Sequence, residues 1–349
     1  MKFHEPGGAG QIIVRGHMMW RGEKLARSVL SGFVRFVVPA AATFLCGTAL
    51  AAAYPERNIL IIVPFAPGGG SDAVARILSK HLTESLGRSV VVENRPGAGG
   101  NIGVTTAMRA KPDGHTLLVA SSITAVNPSL YKPTPFDPLK DLAAVVDLGA
   151  SPNIFATRSD SGINSLKDLI AIAQKQPNLL NYSAVLTGTP HLGAELFKLQ
   201  SKINMTHIPF SGAGPSLQAV LGNQVQIGSL GLGGVMPHVA SGALRVLVQT
   251  GKERWIDLPN VPTLTEAGYP NPPLETFQAL FAPAGTPPEI VQRLATEVIT
   301  IVKRPDVVEA LRQTGFGVIG GGPEVLRARL QRELPLWKAI IEKANITIQ

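Results

Sequence analysis

The sequence predicts an α/β fold built as two lobes, and three observations carry the prediction. From Ile59 onward, short β-rich runs alternate with stretches of helical periodicity, the pattern of strands and helices in mostly parallel sheets. Glycine-rich loops stand between a strand and the helix that follows it. At 349 residues and 45% apolar side chains, the chain exceeds one ordinary domain and can bury more than one core.

The first 53 residues are expected to be a leader outside the fold. Arg21, Lys24, Arg27 and Arg35 precede an apolar stretch from Val37 that ends in Ala49-Leu50-Ala51-Ala52-Ala53, a charged n-region, an h-region and a small-residue cleavage site. Pro39, Thr43 and Gly47 interrupt that stretch, and a bilayer crossing needs about 20 apolar residues. Cleavage is expected after Ala51 or Ala53, and the segment before Met18 fits no leader pattern, so translation is expected to begin at Met18 or Met19. The single cysteine, Cys46, falls in the leader, which excludes disulfides, thiolate metal sites and cysteine nucleophiles from the mature chain. Removing the leader leaves 26 basic against 22 acidic residues, so the formal charge drops from +8 to +4. With no dense Lys/Arg stripe left, nucleic acid is not an expected partner.

Ile59 to Val63 is a buried strand; Val74, Ile77, Leu78, Leu82 and Leu86 then mark a helix over 72–87, with Ser71 or Asp72 at its start and Gly87 at its end. Strands follow at 89–93 and 116–120, joined by a helix over 102–110. Further strands are expected at 143–148, 153–157, 180–184, 204–208, 225–229 and 244–248, with helices near 166–176, 192–201, 214–221 and 234–241. After Pro283 to Pro288, two amphipathic helices over 288–314 and 323–345 close the chain, the first divided by Pro305.

The loop Pro64-Phe65-Ala66-Pro67-Gly68-Gly69-Gly70-Ser71-Asp72 carries the chemistry. Its glycines let main-chain N–H groups face inward at a helix N-terminus, where orphan donors and the helix dipole favour an anion. A tight turn with nothing bound is the structural alternative. A second alternative is a dinucleotide: Gly68-x-Gly70-x-x-Ala73 satisfies the fingerprint and Glu93 lies 20 residues beyond. That reading implies an NAD-dependent oxidoreductase, although Phe65 to Pro67 make the approach longer than a Rossmann turn, and an exported protein meets little nicotinamide cofactor. No phosphate-binding P-loop or nucleophile elbow is present, and His81, His115, His191, His207 and His238 lack metal-ligand spacing, so neither a metal nor a cofactor is expected.

The blocks Pro64 to Asp72, Val90 to Gly103 (VVVENRPGAGGNIG), Pro112 to Leu118 (PDGHTLL), Asn127 to Tyr131, Phe136 to Asp141, Gly188 to Leu192, His207 to Gly212, Leu258 to Gly268 and Ala282 to Pro287 run through nearly the whole mature chain. In this order the chain resembles the Bug proteins, the substrate-binding proteins of tripartite tricarboxylate transporters. The resemblance implies a type II periplasmic binding protein with its ligand in the interlobe cleft. Lobe 1 would be 54–155 plus 276–349, and lobe 2 would be 156–275. It further implies a periplasmic, non-enzymatic protein that captures a small organic carboxylate for membrane permease subunits, or for a sensor protein. Carried over by position, Phe65, Pro67, Gly68, Gly69, Gly70 and Ser71 would meet one carboxylate, with Ser121, Ser122 and Asn127 from the same lobe. The other lobe would offer Thr187, Gly188, Thr189, His191 and Ser211. Two departures stand out: the loop from Thr187 to His191 is about one residue short, and Leu230 occupies a place where many members carry an Asp that reads a ligand amine. A buried ammonium without a carboxylate is costly, so an amino-acid ligand is disfavoured.

Overall fold

The structure, a computed structural model, describes residues 54–270 and 274–347; the expected leader and Cys46 lie outside them. In chain order the first elements are β1 (Ile59–Val63), α1 (Gly70–Leu86), β2 (Val90–Asn94), α2 (Asn101–Met108), β3 (Thr116–Ser121), α3 (Ile123–Leu130) and β4 (Leu142–Arg158). Next come α4 (Leu166–Lys175), β5 (Asn181–Val185), α5 (Thr189–Ser201), β6 (Thr206–Phe210), α6 (Ala213–Leu221), β7 (Ile227–Gly231), α7 (Met236–Ala240) and β8 (Leu244–Gln249). The chain closes with β9 (Glu275–Pro283), α8 (Pro288–Val302), α9 (Pro305–Gln313), β10 (Gly317–Gly321) and α10 (Pro323–Lys343).

The strands form a path ordered β2-β1-β3-β9-β4-β7-β5-β6, with β8 and β10 each paired to β4 off that path. β1 pairs in parallel with β2 and β3, and β5 in parallel with β6 and β7. Every pairing made by β4 and β9 is antiparallel. The sheets are mixed, as expected, but not mostly parallel, because the two long strands β4 and β9 in the middle run antiparallel to every partner.

The 17-residue β4 replaces the two separate strands expected there. Its first part, through Pro152, lies against β9, with Pro152 opposite Glu275; from Asn153 onward it lies against β7 and β8. Pro152, which has no N–H for a ladder, thus sits where the strand changes partners. Period-two packing is clean on both sides of this point. Ile59, Ile61 and Val63 face α1 and α8 in one apolar cluster while Ile62 faces α2, α3 and α10 in another. Beyond the switch, Phe155 points into one cluster and Ile154 and Ala156 into the other.

Pro305 does divide the penultimate helical stretch, standing in the first turn of α9. α3, β9 and β10 were not anticipated. Nor was the start of α5, which lies at Thr189 and not near Leu192; Gly188 is its cap.

Candidate functional site

Three loops leave the carboxyl ends of the parallel strands β1, β3 and β5, where open α/β sheets place ligands. Residues 275–278 of β9 connect them. Ser122, after β3, accepts the Phe277 N–H at 2.9 Å and donates to the Glu275 carbonyl at 3.4 Å. Thr189, after β5, shares a short hydrogen bond with Thr276, and both meet Asn153, whose Nδ2 donates to Thr189 Oγ1 at 3.3 Å and whose Oδ1 accepts from Thr276 Oγ1 at 3.0 Å. Ser121 pairs with Gln278 across β3 and β9, and Gln278 lines a small cavity together with Val74 of α1 and Phe316.

The first loop is organised by Asp72. Its Oδ2 accepts the Gly68 N–H and Arg76 Nε, each at 2.9 Å, and its Oδ1 accepts from Asn94 Nδ2 at 3.0 Å. Asn94 also donates to the Phe65 carbonyl at 3.0 Å. Burial works to raise the Asp72 pKa, but the hydrogen bonds from Arg76, Gly68 and Asn94 outweigh it and hold the carboxyl below its usual range. The Gly68 amide is thereby committed to the chain's own carboxylate. The N–H groups of Gly69, Gly70 and Ser71, by contrast, meet no acceptor among the described residues; the first main-chain bond of α1 is Ala73 N–H to the Gly69 carbonyl, 3.0 Å. Phe65 is half-buried, while Pro67 and Gly68 are exposed.

The remaining predicted residues divide into engaged and open groups. Asn127 lies inside α3, fully buried, and its Nδ2 donates to the Gly99 carbonyl at 3.0 Å and Asn101 Oδ1 at 2.7 Å, so it braces the glycine-rich loop 97–101 that leads into α2. Ser122 and Thr189 bond within the chain as above. The hydroxyls of Ser71, Ser121 and Thr187 make no bond among the described residues although each residue is only 4–6% exposed. Thr187 also takes φ 68°, a left-handed conformation that a β-branched residue rarely adopts. Gly188 caps α5 without a side chain, and Ser211 is exposed after β6.

His191 stacks on His207 with centroids 4.0 Å apart and planes at 16°, and His207 stacks on Tyr182 at 5.0 Å. Burial, then the His207 and Lys198 charges against that of Glu195, push the His191 imidazole down to about 4, so it is neutral near pH 7. Its Nδ1 is sealed without a partner. Leu230 is buried in the apolar cluster around Ile154, Leu217 and Val220. Asn153, Thr276, Gln278 and Phe316 escaped the sequence reading. The one signal was the polar break Ser151-Pro152-Asn153 inside an otherwise apolar run. Among the described residues there is no group of three or more His, Cys, Asp or Glu able to hold a metal ion, and no helix long and apolar enough to cross a membrane.

Mixed sheets flanked by helices, with loops gathered at the strand ends, make this an α/β fold of the periplasmic-binding-protein kind. The chain belongs to the tripartite tricarboxylate transporter family receptors, whose family model matches residues 74–346. It is 34% identical to the protein BugT of Bordetella pertussis over 299 residues, 85% of this chain and 92% of BugT. Among solved structures it is similar to Rpa4515 of R. palustris with adipate, with TM-score 0.79 and 31% identity over 84% of this chain and 99% of that one. It is also similar to MatC of Rhodopseudomonas palustris with bound malate, with TM-score 0.76 and 30% identity over 82% of this chain and 100% of that one. Membership makes the protein a transport receptor and not an enzyme, which removes the oxidoreductase alternative.

Proposed function

We propose that the protein is a periplasmic receptor that captures a small organic carboxylate between two lobes, 54–155 plus 276–349 and 156–275, and delivers it to permease subunits in the membrane. The observation that carries this reading is the row of Gly69, Gly70 and Ser71 N–H groups without acceptors at the start of the 17-residue α1. Orphan donors and the dipole of a long helix favour a negative charge there, and Arg76 offsets the charge of Asp72 beneath. The hydroxyls of Ser71, Ser121 and Thr187 and the neutral imidazole of His191 would complete the seat. All are uncharged groups, suited to an anion that binds reversibly. Leu230, packed into its apolar cluster, leaves no carboxylate at that position for an ammonium, which favours an acid without an amine. The adipate and malate carried by two relatives are of this class.

A thermal-shift series with adipate, malate, amino acids and NAD tests the reading. A bound acid at 100 times its dissociation constant adds about 2.7 kcal/mol of stability, and amino acids and NAD are expected to add nothing. Gly69 offers a clean variant, since its φ of −85° suits any residue and an added Cβ would meet only the Ala66 carbonyl at 3.9 Å. Gly69→Ala is expected to bind nearly as well as the parent, whereas Gly69→Asp loses binding through like-charge repulsion. Equal affinity of the Asp variant for the same acid would place the anion elsewhere.

A further inference from the structure

The segment Arg312 to Gly317, which ends α9 and opens β10, touches both parts of the molecule. On one side the Phe316 ring lies against the α1 loop, where a Cβ added to Gly70 would come within 3.2 Å of it. On the other side Thr314 and Gly315 meet the loop after β7 backbone to backbone. A Cβ on Gly233 would stand 2.6 Å from the Thr314 carbonyl, and one on Gly315 would stand 2.7 Å from the Gly233 nitrogen. Gly317 sits beneath the Trp255 ring, and Arg312 Nη1 meets Asp257 Oδ2 at 2.5 Å. Trp255 is fixed in turn, because Gln249 Oε1 of β8 accepts its main-chain N–H at 2.7 Å and Asp257 Oδ2 accepts its indole N–H at 3.2 Å.

None of these contacts belongs to a strand ladder or a helix. Gly233 has no left-handed φ to explain its lack of a side chain, whereas the approach of the Thr314 carbonyl does explain it. We propose that this turn is a latch: it supports the α1 loop through Phe316 and seats on Gly233, Trp255 and Asp257, so that closure of the two lobes and formation of the solute seat are one equilibrium. By linkage, whatever opens the latch weakens solute binding, and bound solute holds the latch shut. Arg312, Gly315 and Phe316 are thus positioning residues. The inference rests on the two-lobed reading above, but its test needs no ligand.

Spin labels at Lys80→Cys on α1 and Lys175→Cys on α4, in the full chain carrying Cys46→Ser, report the separation of the two parts. Gly233→Ala wedges the seam, and Asp257→Ala removes a partly exposed ion pair with Arg312 together with the hydrogen bond that Trp255 Nε1 donates to Asp257 Oδ2 at 3.2 Å. Both are expected to fold with unchanged circular dichroism and to move the label distances to longer values without any solute. Adipate is expected to draw Asp257→Ala back to the short distance, with affinity lowered about two- to fivefold, mainly through faster release. Distance distributions identical to the parent in both variants would overturn the latch. Longer distances in a protein that neither adipate nor malate stabilises would keep the latch and sink the carboxylate reading.

Discussion

Thr187 holds a left-handed φ of 68° at the exit of β5, next to the glycine that caps α5. Holding a β-branched residue there costs about 1–3 kcal/mol, and such strain persists where the position serves a function. Thr187→Gly removes the strain at the expense of extra freedom in the unfolded chain, so the variant is expected to be more stable by about 1 kcal/mol in urea titration. It also deletes a hydroxyl that no group of the described chain satisfies, so affinity for the captured acid is expected to fall. A variant that gains stability without losing affinity would show that Thr187 serves the turn alone. The residues of the proposed seat were read from the glycines of the first loop and, for the rest, from the family resemblance, but their engagements were not legible. Ser122 is bonded to Glu275, 153 positions away, and Asn127 to Asn101 and Gly99; a sequence read locally gives the hydroxyl or amide but not the partner that folding brings to it.

Elements were legible where apolar residues repeat. α1 shows a buried face of Val74, Leu78 and Leu82, and α8 one of Leu294, Val298 and Ile301. α3 escaped because every residue from Ile123 to Asn127 is buried and Pro128 follows inside the helix, so no period appears. β10 escaped because three of its five residues are glycine, and only its pairing with β4 makes it a strand. α10 docks through charge as well as apolar contact: Arg329 donates to Asp147 Oδ2 at 2.6 Å and to Glu333 Oε1 at 2.8 Å, and Trp337 donates to Glu333. Burial raises the Asp147 and Glu333 pKa values, with Arg329 opposing it. Arg329→Met keeps the stem and strands two buried carboxyls, which is expected to cost about 3–5 kcal/mol. The sign with pH follows from the raised values. Between the unfolded and folded pKa the native state holds protons that the unfolded state has released, so stability falls as pH rises through that interval. The loss in Arg329→Met is therefore expected to be larger at pH 7.5 than at pH 5 in parallel urea titrations, and an equal loss at both would mean that these carboxyls do not titrate in the folded variant.

Among the described residues the two groups of strands are joined through β4. β4 gives its first part to β9 and its last part to β7 and β8, and the Asn153, Thr189 and Thr276 cluster fixes the point of change. Glycine and proline punctuation did not reveal this continuity, because Pro152 reads as a break and in fact marks a change of partner inside one strand. A strand shared by both sheets cannot lose its pairing on one side without exposing the polar cluster at the crossing. Removing partners from such buried groups costs about 1–3 kcal/mol each. The two parts are accordingly expected to unfold together despite the chain's length. Two tryptophans make this measurable: Trp255 packs against the cluster around Ile154, and Trp337 is buried in the cluster around Phe277. In a chain carrying Trp20→Phe, adding Trp337→Phe leaves Trp255 as the reporter, and adding Trp255→Phe leaves Trp337. Each reporter is expected to give a urea midpoint coincident with the far-ultraviolet circular dichroism of the same variant. If Trp255 melted ahead of the backbone signal while Trp337 stayed native, β4 would be acting as two strands, and the two halves would fold as independent domains.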